Sequence, residues 1–222
     1  MFGQVIGETF APAIGIALSP VPIIAAILML LSPRAGRTAP AFAAGWLAGI
    51  LVVALAVMLF VPASAATGSG GGGTAVAVVK LALGLLFLAM ALGQWRKRPA
   101  PGKTPELPKW MSGIDRMGPA AALGIGAALA ALNPKNLPLA ITAGLSLATL
   151  PADQSTLGLT IFTLLAASSV LVPVLAYLLF KSRMSKPLTN LKTWLTANNA
   201  TVMFLVLLIL GTVTIGKALA AF

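Results

Sequence analysis

The stretch Asn133-Pro134-Lys135-Asn136-Leu137-Pro138 constrains this chain most. It lies inside an apolar run from about residue 119 to residue 150. That run exceeds the ~20 residues a straight helix needs to cross the hydrocarbon core of a bilayer. Proline removes an N–H donor and clashes with the preceding turn, so two prolines near the midpoint predict a helix broken near the membrane centre. Lys135, between them, is the one charged residue expected at that depth. A lysine there costs about 2.5–3.5 kcal/mol on insertion scales, which marks it as a residue with a task.

The same pattern occurs once earlier. Ala17-Leu18-Ser19-Pro20 matches Ala131-Leu132-Asn133-Pro134 at an offset of 114 residues, and Pro22 follows the first copy. The first copy also sits midway along an apolar run, from about residue 3 to residue 31. In each copy a capping residue, Ser19 or Asn133, precedes a proline, the usual opening of a helix. Each run is therefore expected to be two half-helices, with Pro20, Pro22, Pro134 and Pro138 holding the break open. Paired, proline-interrupted hydrophobic segments in corresponding halves are the best sequence pointer to a transporter's binding site.

The remaining composition fits a membrane interior. Of the 222 residues, 59% are hydrophobic and only 9% charged, against about 25% charged in soluble domains. With no cysteine and no histidine, the chain offers neither a thiolate metal site nor an imidazole proton shuttle. No cofactor and no metal are expected. The net charge of +11 is carried by loops between apolar spans, so it is assigned to an anionic membrane face and not to nucleic acid. The N-terminus lacks a basic n-region, and its apolar stretch is too long and proline-rich for a cleaved leader, so none is expected.

Six spans are expected, at about 4–31, 39–61, 75–95, 119–150, 156–180 and 200–221, forming one all-α transmembrane domain over residues 1–222. Arg34, Arg37, Arg96, Lys97, Arg98, Lys103, Lys109, Arg116, Lys181, Arg183, Lys186 and Lys192 all fall in the first, third and fifth loops. Lys80 and Lys217 fall on the other side. The basic loops are thus expected in the cytoplasm and both termini outside. Three spans per half then invert the second copy: repeat 1 covers about 1–95, a basic loop 96–118, and repeat 2 about 119–222. Within the long basic loops, Leu107, Trp110, Met111, Ile114 and Met117, and then Leu188, Leu191 and Leu195, recur at helical spacing. They are expected to lie flat among the lipid headgroups. Gly68–Gly73 is expected to be a flexible linker. Gly45 with Gly49, Gly124 with Gly126, and Ser168 with Ser169 are expected to serve close helix packing, and Pro173 to kink the fifth span.

The candidate site is Lys135 with Ser19, Asn133 and Asn136 around it. The four acids Glu8, Glu106, Asp115 and Asp153 all fall near span ends or in loops, so none is expected to neutralise the lysine. A half-helix beginning at the midplane offers unpaired N–H groups and a positive dipole end. Two such ends and one ammonium suit a carboxylate, phosphate or sulfate. If protons drive the cycle, Lys135 is the candidate carrier. No Walker loop, metal cluster or nucleophile–base pair is present in the sequence, so no enzyme is expected.

The pieces Ala17-Leu18-Ser19-Pro20-Val21-Pro22-Ile23 and Leu132-Asn133-Pro134-Lys135-Asn136-Leu137 resemble the lysine-exporter superfamily of small inner-membrane exporters. Within it the chain looks most like the Sap/GAP group of sulfolipid and peptidoglycolipid addressing proteins. The resemblance implies two inverted three-helix repeats in a bacterial inner membrane. It also implies movement of an anionic cell-envelope glycolipid or related amphiphile. This sequence lacks the intramembrane acids expected of cation exporters and the cysteines of the electron-transferring relatives. A small-solute exporter of the amino-acid type remains open. So does a non-transporting scaffold for lipid synthesis, with a homodimer or a lipid-synthesis partner.

Overall fold

The computed structural model of the chain describes residues 2–60, 72–98 and 109–219. Among the described residues eight α-helices follow one another: α1 (Phe2–Ala17), α2 (Pro20–Leu30), α3 (Ala35–Phe60), α4 (Gly72–Arg96), α5 (Pro119–Ala131), α6 (Asn136–Ala148), α7 (Ala152–Phe180) and α8 (Ser185–Leu219). Short 3₁₀ turns occupy Lys109–Arg116 and Lys181–Met184, and the described residues contain no strand.

Helices α3, α7 and α8, and the stretch Ala77–Arg96 of α4, are each long and apolar enough to cross a bilayer. The stretch Thr9–Ala17 of α1 and helix α2 together make a fifth candidate span, bent by 50° at the break. Helices α5 and α6 have 13 residues each. At 1.5 Å per residue each is about 20 Å long, too short to span alone. The chain is thus an all-helical, multi-pass membrane protein with four or five spans by length and composition.

Helix α3 is the centre of the bundle. It packs along α5, against α6 and against α7, while α1 packs on α6 and α7. Helix α4 pairs chiefly with α8, and α8 joins the bundle mainly through α2. The α3–α5 seam is close because it is lined by glycine. A Cβ at Gly45 would strike the Leu123 carbonyl, one at Gly126 the Phe42 carbonyl, and one at Gly49 would lie 2.7 Å from the Ala127 oxygen. Small residues here let two backbones approach where lipid supplies no hydrophobic force of its own. Gly124 takes no part, since a Cβ there meets open space. Gly84 and Gly211 make the same kind of approach between α4 and α8.

Two loop expectations are corrected. The segment 185–198 is helical and continues into the last span, making α8 a single helix of 35 residues. Leu188 and Leu195, two turns apart, are buried against the protein, while Leu191 and Trp194 remain exposed. The turn Lys109–Arg116 does not lie free among headgroups either: Met111 and Ile114 are buried in the core, and the turn packs on α2. Apolar spacing reports that a segment has a buried face, not whether lipid or protein covers it. Gly72 and Gly73 belong to α4, and the rest of the expected linker lies outside the described residues, as do Leu107 and Glu106. Pro173 lies within α7, and Ser168 Oγ donates to the Leu165 carbonyl of its own helix at 2.7 Å.

Candidate functional site

The first break forms as the Ser-Pro pair dictates. Ser19 is extended (φ −105°, ψ 100°) and Pro20 opens α2. The Ser19 backbone carbonyl accepts from the Ile23 N–H at 3.4 Å, but its side chain does not cap the helix. Proline at 20 and at 22 deprives the carbonyls of Ile16 and Leu18 of the donors a continuous helix would supply. The last turn of α1 thus ends in carbonyls that need partners from elsewhere.

The second break is offset from expectation by two residues. Helix α6 begins at Asn136, not at Pro134. Asn133 still acts as the cap: its Oδ1 accepts the Lys135 N–H at 2.9 Å and its carbonyl accepts the Leu137 N–H at 2.9 Å. Boundaries shift by this much when the first turn is irregular. Pro138 is the third residue of α6 and does not break it. Its missing N–H is one that a first turn leaves unpaired in any case. Pro22 is likewise the third residue of α2. The interruptions themselves are made by Ser19-Pro20 and Asn133-Pro134.

The two breaks meet. Lys135 is 1% exposed, Asn136 0% and Ser19 2%. Lys135 Nζ donates to the Gly15 carbonyl at 2.6 Å and to the Leu18 carbonyl at 3.3 Å. Ser19 Oγ donates to Asn136 Oδ1 at 3.1 Å. Asn136 Nδ2 donates in turn to the Leu129 carbonyl at 3.3 Å. Each half-helix that ends at a break therefore has its terminal carbonyls met by a side chain from the start of α6. Gly15 and Leu129 stand at the same 114-residue offset as the two motifs.

The lysine is not left without a partner, as the absence of a nearby acid suggested. Its charge sits at the C-terminal end of α1, where the helix dipole is negative. That placement contributes about 0.3–1 kcal/mol, and up to about 2 kcal/mol when desolvated. Two charge-assisted bonds to carbonyls add to it. Backbone carbonyls are invisible to a search for acidic residues. The signal that could have found one of them was Pro22, four residues beyond Leu18. Asn133, whose oxygen is committed to the Lys135 N–H, lies beside this cluster without its side chain entering it.

The Ser19–Asn136 bond joins the two breaks side chain to side chain, and a double-mutant cycle with Ser19→Ala and Asn136→Ala is expected to show it. A coupling of about 0.5–1.5 kcal/mol in unfolding free energy is the normal worth of such a bond. Strict additivity would show that the two residues do not meet.

The fold and this site define a polytopic membrane protein built around a buried lysine between two interrupted helical segments. Residues 10–220 match the family described as Sap, sulfolipid-1-addressing protein, and the chain belongs to that family. Neither a curated protein nor a solved structure matches it.

Proposed function

We propose that this protein exports an anionic cell-envelope glycolipid or related amphiphile across the inner membrane, with the anionic group held at Lys135. The observation that carries the reading is a fully buried ammonium placed at the junction of the two helix breaks. Family membership supports the lipid, since the family is named for addressing a sulfolipid. An ammonium has three N–H donors. Gly15 and Leu18 take two of them, which leaves one for an incoming sulfate, phosphate or carboxylate. The N-terminal ends of α2 and α6 favour the same charge. Ser19 and Asn136 frame the position.

The lysine also ties the end of α1 to the start of α6. An anion that draws the ammonium toward itself weakens this tie, so substrate binding and movement of one half against the other become one event. Alternating access of this kind is the usual consequence of two inverted repeats meeting at a midplane site. The matched carbonyls of Gly15 and Leu129 support the repeat reading. So does the packing of α3 on α5 and α6 beside that of α7 on α1 and α2. In this reading α5 and α6 form one broken span, six spans cross the membrane, and both termini face outward.

The test uses purified protein in vesicles carrying a fluorescent sulfated glycolipid, with quencher added outside. Wild-type protein is expected to bring the lipid to the outer leaflet and Lys135→Met to leave it at background, with unchanged insertion. Undiminished movement by Lys135→Met would refute the assignment. If the wild type moves neither this lipid nor an anionic amino acid, a scaffold role replaces transport.

A further inference from the structure

A second basic feature lies away from Lys135. The turn between α2 and α3 and the start of α5 enclose a recess of about 400 Å³, lined by Pro33, Arg34, Gly36, Arg37, Thr38 and Pro119. Its walls are fixed by the local sequence. Ser32 Oγ donates to the Met29 carbonyl at 2.8 Å, closing the end of α2. Thr38, fully buried, donates through Oγ1 to the Arg34 carbonyl at 3.0 Å and holds that backbone in place. Arg34 Nη1 donates to the Arg116 carbonyl at 3.1 Å, which ties the turn to the 3₁₀ segment ahead of α5.

Arg34 stands just before α3 and Arg37 in its first turn, and both line the recess. Both are exposed, and among the described residues neither is joined to a carboxylate. Asp115, the neighbour of Arg116 on the 3₁₀ segment, is exposed. One nitrogen of Arg34 is engaged, so most of two guanidinium forks still faces the recess. A planar fork suits a tetrahedral oxyanion, which it binds through paired charge-assisted bonds.

We infer that this recess is a binding site for a phosphate or sulfate ester, the headgroup of an anionic lipid at the membrane face. It is separate from the buried lysine and does not depend on the export reading. Two origins share the chemistry, a membrane lipid and a free anion, and they are separable by experiment.

Full-length protein in phosphatidylcholine nanodiscs doped with phosphatidylglycerol would be released into the gas phase and its retained lipids counted by mass. Arg34→Gln/Arg37→Gln is expected to reduce retained phosphatidylglycerol about tenfold, the worth of a charge-assisted contact. Lys186→Gln/Lys192→Gln, with the same change of net charge, is expected to retain wild-type levels. Equal retention by the arginine variant would overturn the site, and equal loss in the Lys186/Lys192 variant would reduce it to general surface attraction. Melting temperature checks that the arginine variant is folded; Arg37→Gln alone, which leaves the Arg34–Arg116 tie intact, gives the same reading if the double variant is not. Competition by millimolar inorganic phosphate would assign recognition to the oxyanion alone. Lipid retained against phosphate would assign it to the headgroup with its chains.

Discussion

Lys135→Ala is expected to melt well below both the wild type and Lys135→Met, although the proposed export role has both variants inactive. Three magnitudes decide the order. Removing the ammonium leaves the Gly15 and Leu18 carbonyls without the donor they now have, at about 1–3 kcal/mol for each group that stays unpaired. The same change relieves the cost of a charge in the membrane interior, about 2.5–3.5 kcal/mol. These two effects largely cancel, as they do when buried charges are replaced by apolar side chains of like volume. Methionine keeps most of the volume and is expected to stay near wild-type stability. Alanine does not, and Lys135 is among the largest fully buried side chains of the protein. The hole costs about a further 2–5 kcal/mol. Denaturation in mixed micelles, followed by tryptophan fluorescence, separates the three proteins. Equal melting of the alanine and methionine variants would mean that the stem of Lys135 fills no space. A methionine variant several kcal/mol less stable than the wild type would mean that the ammonium is first a structural staple.

Much of this site could be read from residue types, and what could not has a physical reason. Ser19-Pro20 and Asn133-Pro134 were recognisable because proline acts locally, through a missing donor and a steric clash. The burial of Lys135 followed from its position within a long apolar run. Its partners did not follow, because they are backbone atoms at the end of α1 and in the break after it, 120 and 117 positions away. Asn133 and Asn136 look interchangeable in sequence. The fold gives one a cap on its own helix and the other a bond across the molecule to Ser19. Local chemistry predicts the first kind of contact, and only packing creates the second.

The span count shows the same boundary. Hydropathy placed α3, α4 and α7 within a few residues of where they lie, because a continuous apolar stretch has only one way to satisfy its backbone in lipid. It placed the start of α8 far too late, because polar residues from 185 to 198 dilute the signal while Leu188 and Leu195 still hold a face against the protein. It was also silent on which small residues matter. Gly124 and Gly126 are two positions apart in one helix, and the sequence offers no means of ranking them.

That pair carries a prediction of opposite signs. Gly124→Ala is expected to stabilise the protein slightly and Gly126→Ala to destabilise it strongly. Alanine in a helix interior is worth about 0.8–1.0 kcal/mol over glycine, and at Gly124 nothing opposes that gain because the new methyl meets open space. At Gly126 the methyl meets the Phe42 carbonyl, and the Trp46 nitrogen lies 2.9 Å away. Both are backbone atoms of α3, and neither can rotate aside, so the helices must separate. Overpacking of a tight core costs about 1–3 kcal/mol and more where the neighbour cannot yield. Separation also moves α5, whose far end carries Leu129 and leads into Asn133. The Asn136 bond to the Leu129 carbonyl, already 3.3 Å long, is then lost together with the seam. Gly126→Ala is therefore expected to lower both the melting temperature and lipid movement, whereas Gly124→Ala raises the first and leaves the second unchanged. If the two variants melt together, α3 and α5 do not approach along this face, and the second break is not held where Lys135 can reach α1.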